Sequence, residues 1–169
     1  MDADALRALQ APIKDKYRAA PDAAVITLKA RGSLDESKIA CNVETGRAIA
    51  AAGLHPASGG SGAELCSGDM LLEALVACAG VTLKAVATAL DIPLKSGVVR
   101  AEGDLDFRGT LGVAKEAPVG FRDIRLFFDL DTDAPQEKID QLVKLSERYC
   151  VIFQTLAKPP TLELKVGRG

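Results

Sequence analysis

The chain has 169 residues, with 21 Lys and Arg against 23 Asp and Glu and a formal net charge of -2. That length holds one domain with a proper core and is short for two, and the interleaved, nearly balanced charges give no electrostatic hold on nucleic acid or on an anionic membrane surface. Two Tyr, five Phe and no Trp leave neither a base-stacking platform nor an aromatic cage, so any ligand is expected to be small.

The opening stretch MDADALRALQAPIKDKYRAA alternates acidic, apolar and basic residues. It lacks the basic start, apolar stretch and small-residue cleavage site of a signal peptide, which predicts a chain that is not secreted. Leu6, Leu9 and Ile13 fall at helical spacing broken by Pro12, predicting a short helical arm over residues 1–22 ahead of one domain over residues 23–169. Residues 23–32 alternate in the strand sense, SLDE turns the chain, residues 37–44 alternate again, and Thr45-Gly46 turns into residues 47–53. This pattern predicts a three-stranded antiparallel meander.

Residues 54–69 are rich in Gly and Ser and predict a loop over the surface or over a site. A helix is expected from about Met70 to Ile92-Pro93, with Ser67 or Asp69 as its N-cap. It is the longest apolar run of the chain. Its length approaches that of a membrane span, but Glu73 and Lys84 interrupt it and small residues surround its central Cys78, so it reads as the buried helix of a non-membrane domain. Residues 95–109 and 121–130 alternate and predict a second hairpin, with Val98, Arg100, Glu102, Asp104 and Asp106 sharing one face. Asp133 and Pro135 open a second helix with Ile139, Leu142, Val143 and Leu145 on its apolar stripe. Cys150 ends it, VIFQTLAKPP adds a short helical turn, and residues 161–166 alternate as a last strand. Strands on both sides of a central helix, joined by hairpins rather than repeated βαβ units, predict an α+β fold with mostly antiparallel sheet and helices on one face.

Cys41, Cys66, Cys78 and Cys150 are too few and too irregularly spaced for a disulfide scaffold, and no CxxC or neighbouring histidine offers a zinc site. They are packing residues or reactive thiols. A thiol buried among apolar neighbours is held neutral, so a catalytic Cys78 calls for a cation. Arg47, just after the Thr45-Gly46 turn, is the best placed by chain order; its plainer reading is a solvated strand arginine. Asp69 either orients that guanidinium through a bidentate pair or simply caps the helix. Glu73, about 140° round the helix from Cys78, faces elsewhere. His55, the one histidine, precedes Pro56 in the loop and reads as a surface residue, with Cys41 and Cys66 as bystanders. The run GGSG carries no phosphate-binding pattern.

The block SGDMLLEALVACAGVTLKAVA, followed by ERYCVIFQTL, resembles the OsmC/Ohr family of osmotically inducible and organic hydroperoxide resistance proteins. The order of strands, central helix, hairpin, helix pair and last strand is similar too. The resemblance implies an intertwined homodimer with antiparallel sheets wrapped around a long central helix and active sites at the subunit interface. It implies a cytoplasmic thiol peroxidase that acts on organic hydroperoxides without metal or other cofactor. Cys78 would attack the peroxide to give a sulfenic acid, and Cys150 would condense with it to a disulfide that an external lipoyl or thioredoxin-like dithiol reduces. The family's active peroxidases keep an arginine near the thiol and a glutamate at the helix start. Arg47 would be that arginine; Asp69 or its neighbour Gly68 stands at the glutamate's position, and the usual proline is missing. A member that binds a small molecule at the interface without peroxidase activity is the alternative.

Overall fold

The computed structural model describes residues 2–5, 7–8, 10–11, 19, 31–34, 40–44, 49–112 and 114–167, with 31–34, 40–44 and 49 described by backbone only. Strands β1 (Arg31–Leu34), β2 (Ala40–Glu44) and β3 (Ile49–Gly53) form an antiparallel meander. Its register sets Cys41 opposite Leu34 on one side and opposite Ala52 on the other. The meander was expected from the alternation, but β1 includes Ser33 and Leu34, which were expected in a turn. Most of the first strand expected over residues 23–32 lies outside the described residues.

A fourth strand, β4 (Leu65–Cys66), pairs in parallel with β3 and runs directly into helix α1 (Ser67–Ala89). The helix therefore starts three residues before the expected Met70. Cys66 occupies its N-cap without a side-chain hydrogen bond, because pairing with β3 holds the chain extended up to that residue. Asp69 lies in the first turn as an exposed carboxylate, where it complements the free N–H groups without capping them. The buried positions of α1 are Leu75, Ala79, Leu83 and Ala87, a stripe repeating every four residues. At its end Asp91 takes a left-handed φ of 52°, and the Ile92 N–H returns to the Ala87 carbonyl at 2.9 Å, which reverses the chain and buries Ile92.

β5 (Ser96–Leu105) and β6 (Phe121–Asp131) form a long antiparallel hairpin that lies against α1. Its inner face carries Val99, Ala101, Ile124, Leu126 and Phe128. Its outer face carries Arg100, Glu102, Asp104, Arg125 and Asp129, linked by ion pairs such as Arg100 Nε to Asp129 Oδ2 at 2.9 Å and Arg125 Nη2 to Asp104 Oδ1 at 2.9 Å. Gly103 has to be glycine here, because Phe121 of the opposite strand lies where its Cβ would stand. β5 stops short of the expected residue 109: Asp106 accepts the Arg108 N–H at 3.1 Å and caps a single helical turn, Phe107–Thr110.

Helices α2 (Gln136–Tyr149) and α3 (Val151–Ala157) complete the described elements. Asp133 does not cap α2. Its carboxylate takes the Lys95 ammonium at 2.7 Å, Thr132 Oγ1 accepts the Ala134 N–H instead, and Pro135 holds the N-cap position. Leu142 is fully buried and joins Leu83, Ala87 and Ile92 in one core cluster; Leu75, Ala79 and Cys150 form the second. α1 thus packs against the hairpin on one side and against α2 and α3 on another. Among the described residues it is the one helix long and apolar enough to cross a membrane, and in this fold it is the central packing element.

Residues 161–166 form no strand. Leu162, Leu164 and Val166 are 87, 86 and 80 % exposed. A strand needs a partner ladder, and no described strand pairs with the segment.

Candidate functional site

Cys78 and Cys150, 72 positions apart, meet where α1 passes the corner between α2 and α3. Cys150 belongs to both helices of that corner. Its N–H closes α2 on the Ser146 carbonyl at 2.9 Å, and its carbonyl opens α3 by accepting the Gln154 N–H at 2.9 Å. Gln154 Nε2 also donates to the Glu147 carbonyl at 2.9 Å, tying the two helices together. Ser146, the buried polar residue one turn before Cys150, satisfies its hydroxyl on the Leu142 carbonyl at 2.7 Å. All four groups fix where the Cys150 side chain leaves the backbone.

The consequence for Cys78 is that the first N–H groups of α3, those of Val151 and Ile152, point at its sulfur, together with the Cys150 thiol and the Thr82 hydroxyl one turn further along α1. Burial pushes the Cys78 thiol up, as expected for apolar surroundings. The Ile152 N–H, the Cys150 thiol, the Val151 N–H and Thr82 together outweigh it and leave Cys78 below the usual cysteine range. Cys150 moves the other way. Burial raises it, and the adjacent Cys78, which it must serve as donor and whose negative charge it faces, raises it further against the favourable Phe153 N–H. The pair is therefore polarised: of the two, Cys78 is the thiol that ionises more readily and Cys150 the one that donates to it. Both are free thiols.

Among the described residues no cation contacts Cys78. Arg47 lies outside the described residues. Asp69 is nine positions before Cys78 on the same helix, about 13 Å along its axis and half a turn round. It lines a different cavity, with His55, Cys66 and Asp104. Glu73 is exposed. His55 is not a bare surface residue: its ring stacks on Phe107 at 4.9 Å and its Nδ1 accepts the Ala57 N–H at 3.0 Å, capping the short turn Pro56–Ser58. No group of three or more metal-ligating side chains occurs among the described residues. The donors that sequence reading missed are backbone groups, which no side-chain pattern signals; Thr82, four residues after Cys78, was the one visible clue.

Beside the pair lies an apolar groove of about 510 Å³, walled by Leu71, Leu75, Ile124, Leu126, Phe153 and Leu156, with Arg122 and Asp123 at its edge. Leu75, Ile124, Leu126 and Phe153 also pack around the two cysteines, so the groove and the thiols share their walls.

The model of the OsmC-like protein family matches residues 60–165, which span both cysteine blocks and the whole of α1 to α3. The chain belongs to the OsmC-like family. No curated protein sequence matches it. Among solved structures, an OsmC-like protein from Mycoplasma pneumoniae superimposes with a TM-score of 0.65 at 17 % identity, over 79 % of this chain and 89 % of that one. An organic hydroperoxide resistance protein OsmC from Legionella pneumophila gives 0.61 at 15 %, over 79 % and 93 %. An organic hydroperoxide resistance protein from Elizabethkingia anophelis gives 0.62 at 13 %, over 80 % and 91 %. At these identities the likeness is one of fold: an α+β OsmC/Ohr fold with small sheets and a long helix.

Proposed function

We propose that this OsmC-like protein is a cytoplasmic, homodimeric thiol peroxidase that reduces organic hydroperoxides through Cys78 and Cys150. The observation that carries the reading is the polarised contact of the two thiols, one below and one above the ordinary cysteine range. The Cys78 thiolate attacks the terminal peroxide oxygen, the O–O bond breaks, and the alkoxide leaves as the alcohol after taking a proton. Cys150 then attacks the Cys78 sulfenic acid, water leaves, and the disulfide forms. An external dithiol restores both thiols. The apolar groove next to the pair supports a substrate with an apolar organic group rather than hydrogen peroxide. The exposed alternating tail supports a homodimer, because no described strand pairs with residues 161–166 and a second copy can supply one. Arg47 is proposed as the further cation for the thiolate and Asp69 as the carboxylate that orients it.

Organic hydroperoxide consumption with a dithiol reductant tests the reading. Cys78→Ser loses turnover entirely, while Cys150→Ser consumes about one equivalent and stalls; unchanged turnover in Cys78→Ser rejects the assignment. The groove also fits a second reading, a family member that holds a small apolar molecule without peroxide chemistry. Under that reading Cys78 reacts no faster with iodoacetamide near neutral pH than a free peptide thiol does.

A further inference from the structure

The corner that carries Cys150 to Cys78 leaves one main-chain group short of its usual donor. In a helix running on through Cys150, the Val151 N–H would return to the Glu147 carbonyl one turn back. Cys150 breaks that pattern with a ψ of 108°, and the Val151 and Ile152 N–H groups turn to the Cys78 sulfur instead. The Glu147 carbonyl is thereby orphaned, as carbonyls in the last turn of a helix are. Gln154 Nε2 fills the gap at 2.9 Å. The backbone N–H of the same residue donates to the Cys150 carbonyl at 2.9 Å, so Gln154 holds the junction with both of its donors. No side chain caps α3, whose N-cap is Cys150 itself. A helix of seven residues has little stability of its own, and its direction is set by what it is tied to.

We propose that Gln154 is a positioning residue for Cys78: by taking over the Glu147 carbonyl it keeps the Val151 N–H free for the Cys78 sulfur and holds the α2–α3 corner in its broken form. The inference rests on Cys78 as the reacting thiol of the proposed function, and it adds a residue outside the groups that contact either sulfur. Without the side-chain amide, the Glu147 carbonyl competes with Cys78 for the Val151 N–H. A thiol sulfur is a weak acceptor beside a carbonyl oxygen. The N–H is therefore drawn back toward α2, α3 turns with it, and the Cys78 thiolate loses a donor. Gln154 is half-buried, so water replaces much of the lost bond and the fold loses little. The effect falls on the thiol.

The test compares three variants of the full chain. Gln154→Leu keeps the bulk and removes the donor, Gln154→Glu keeps the shape and sets a carboxylate against the carbonyl, and Gln154→Lys restores a donor. Iodoacetamide alkylation of Cys78, mapped by mass spectrometry, is followed across pH in high salt, which screens the charges that Glu and Lys introduce. The profile is expected to move upward by about half a unit in the Leu and Glu variants, slowing alkylation about threefold near neutral pH, and to return toward the parent in the Lys variant. A profile unmoved in the Leu and Glu variants overturns the proposal, even where the thermal midpoint falls, since Gln154 is then a structural brace alone. A Lys variant shifted as far as the Leu one overturns it too, because the shift then follows lost packing rather than the lost donor. If the Leu variant does not fold, the isosteric Glu variant decides. No hydroperoxide enters this assay, so a protein inert toward hydroperoxides rejects the peroxidase reading alone and leaves Gln154 to be judged by the alkylation profile.

Discussion

Cys78 is acidified by a set of small donors, each of which can be removed singly. Thr82→Val deletes a hydroxyl that points at the sulfur, and Cys150→Ala deletes the partner thiol. Both changes are expected to move the pH profile of Cys78 alkylation upward, read by iodoacetamide rates across pH; a profile that stays put in both would leave the backbone N–H groups as the whole cause. The stability linkage has a definite sign. Because Cys78 is more acidic folded than unfolded, its contribution is complete above the unfolded pKa and is lost as pH falls through the folded one. Cys150 is raised, so its contribution is complete below the unfolded pKa and is lost as pH rises through the folded value. Urea denaturation of Cys78→Ala against the parent should therefore show the parent gaining on the variant as pH rises through the Cys78 titration. At this scale the two cysteines were legible in the sequence, since each sits in a recognisable block. What activates Cys78 was not. Reading side chains alone pointed to Asp69 and to Arg47, which lies outside the described residues, and gave no sign of the main-chain donors brought over by a corner 72 residues downstream.

That corner depends on how α2 and α3 pack on α1. Leu142 anchors α2 in one core cluster and Leu75 holds α1 against the cysteines in the other. Deleting buried leucine side chains costs about 2–5 kcal/mol each, from lost transfer energy and the cavity left behind. Leu142→Ala and Leu75→Ala are each expected to lower stability by that order in urea denaturation. They belong to separate clusters, so the double variant should add to within about 0.5 kcal/mol. Only Leu75→Ala should also slow Cys78 alkylation, because it alone lies against the pair. The elements themselves were largely readable: the meander, the hairpin with its charged outer face and the amphipathic α2 all follow from periods of two and 3.6. The boundaries failed where a tertiary contact outbid a local cap. Cys66 is held by β3, which moves the start of α1, and Asp133 is drawn to Lys95, which leaves the α2 cap to others.

For the whole molecule the unresolved accounting is apolar surface. Val81 of α1 is 73 % exposed, Val151 of α3 is 67 %, and the tail adds Leu162, Leu164 and Val166. The last strand was expected from its alternation, and no described strand pairs with it; in the proposed homodimer a second copy covers these side chains. Removing residues 161–169 is expected to shift the protein from dimer to monomer or aggregate in sedimentation velocity. A truncated chain that sediments as the same dimer would place the interface elsewhere. The other end of the molecule is tied in differently: Ala3 is buried, and Arg7 reaches Asp91 at the turn that ends α1 at 3.8 Å. The central claim needs neither terminus. Reduced protein treated with one equivalent of cumene hydroperoxide and digested without reductant should yield a Cys78–Cys150 cross-linked peptide with the loss of two thiols; an unchanged thiol count, or a link through Cys41 or Cys66 instead, would contradict it.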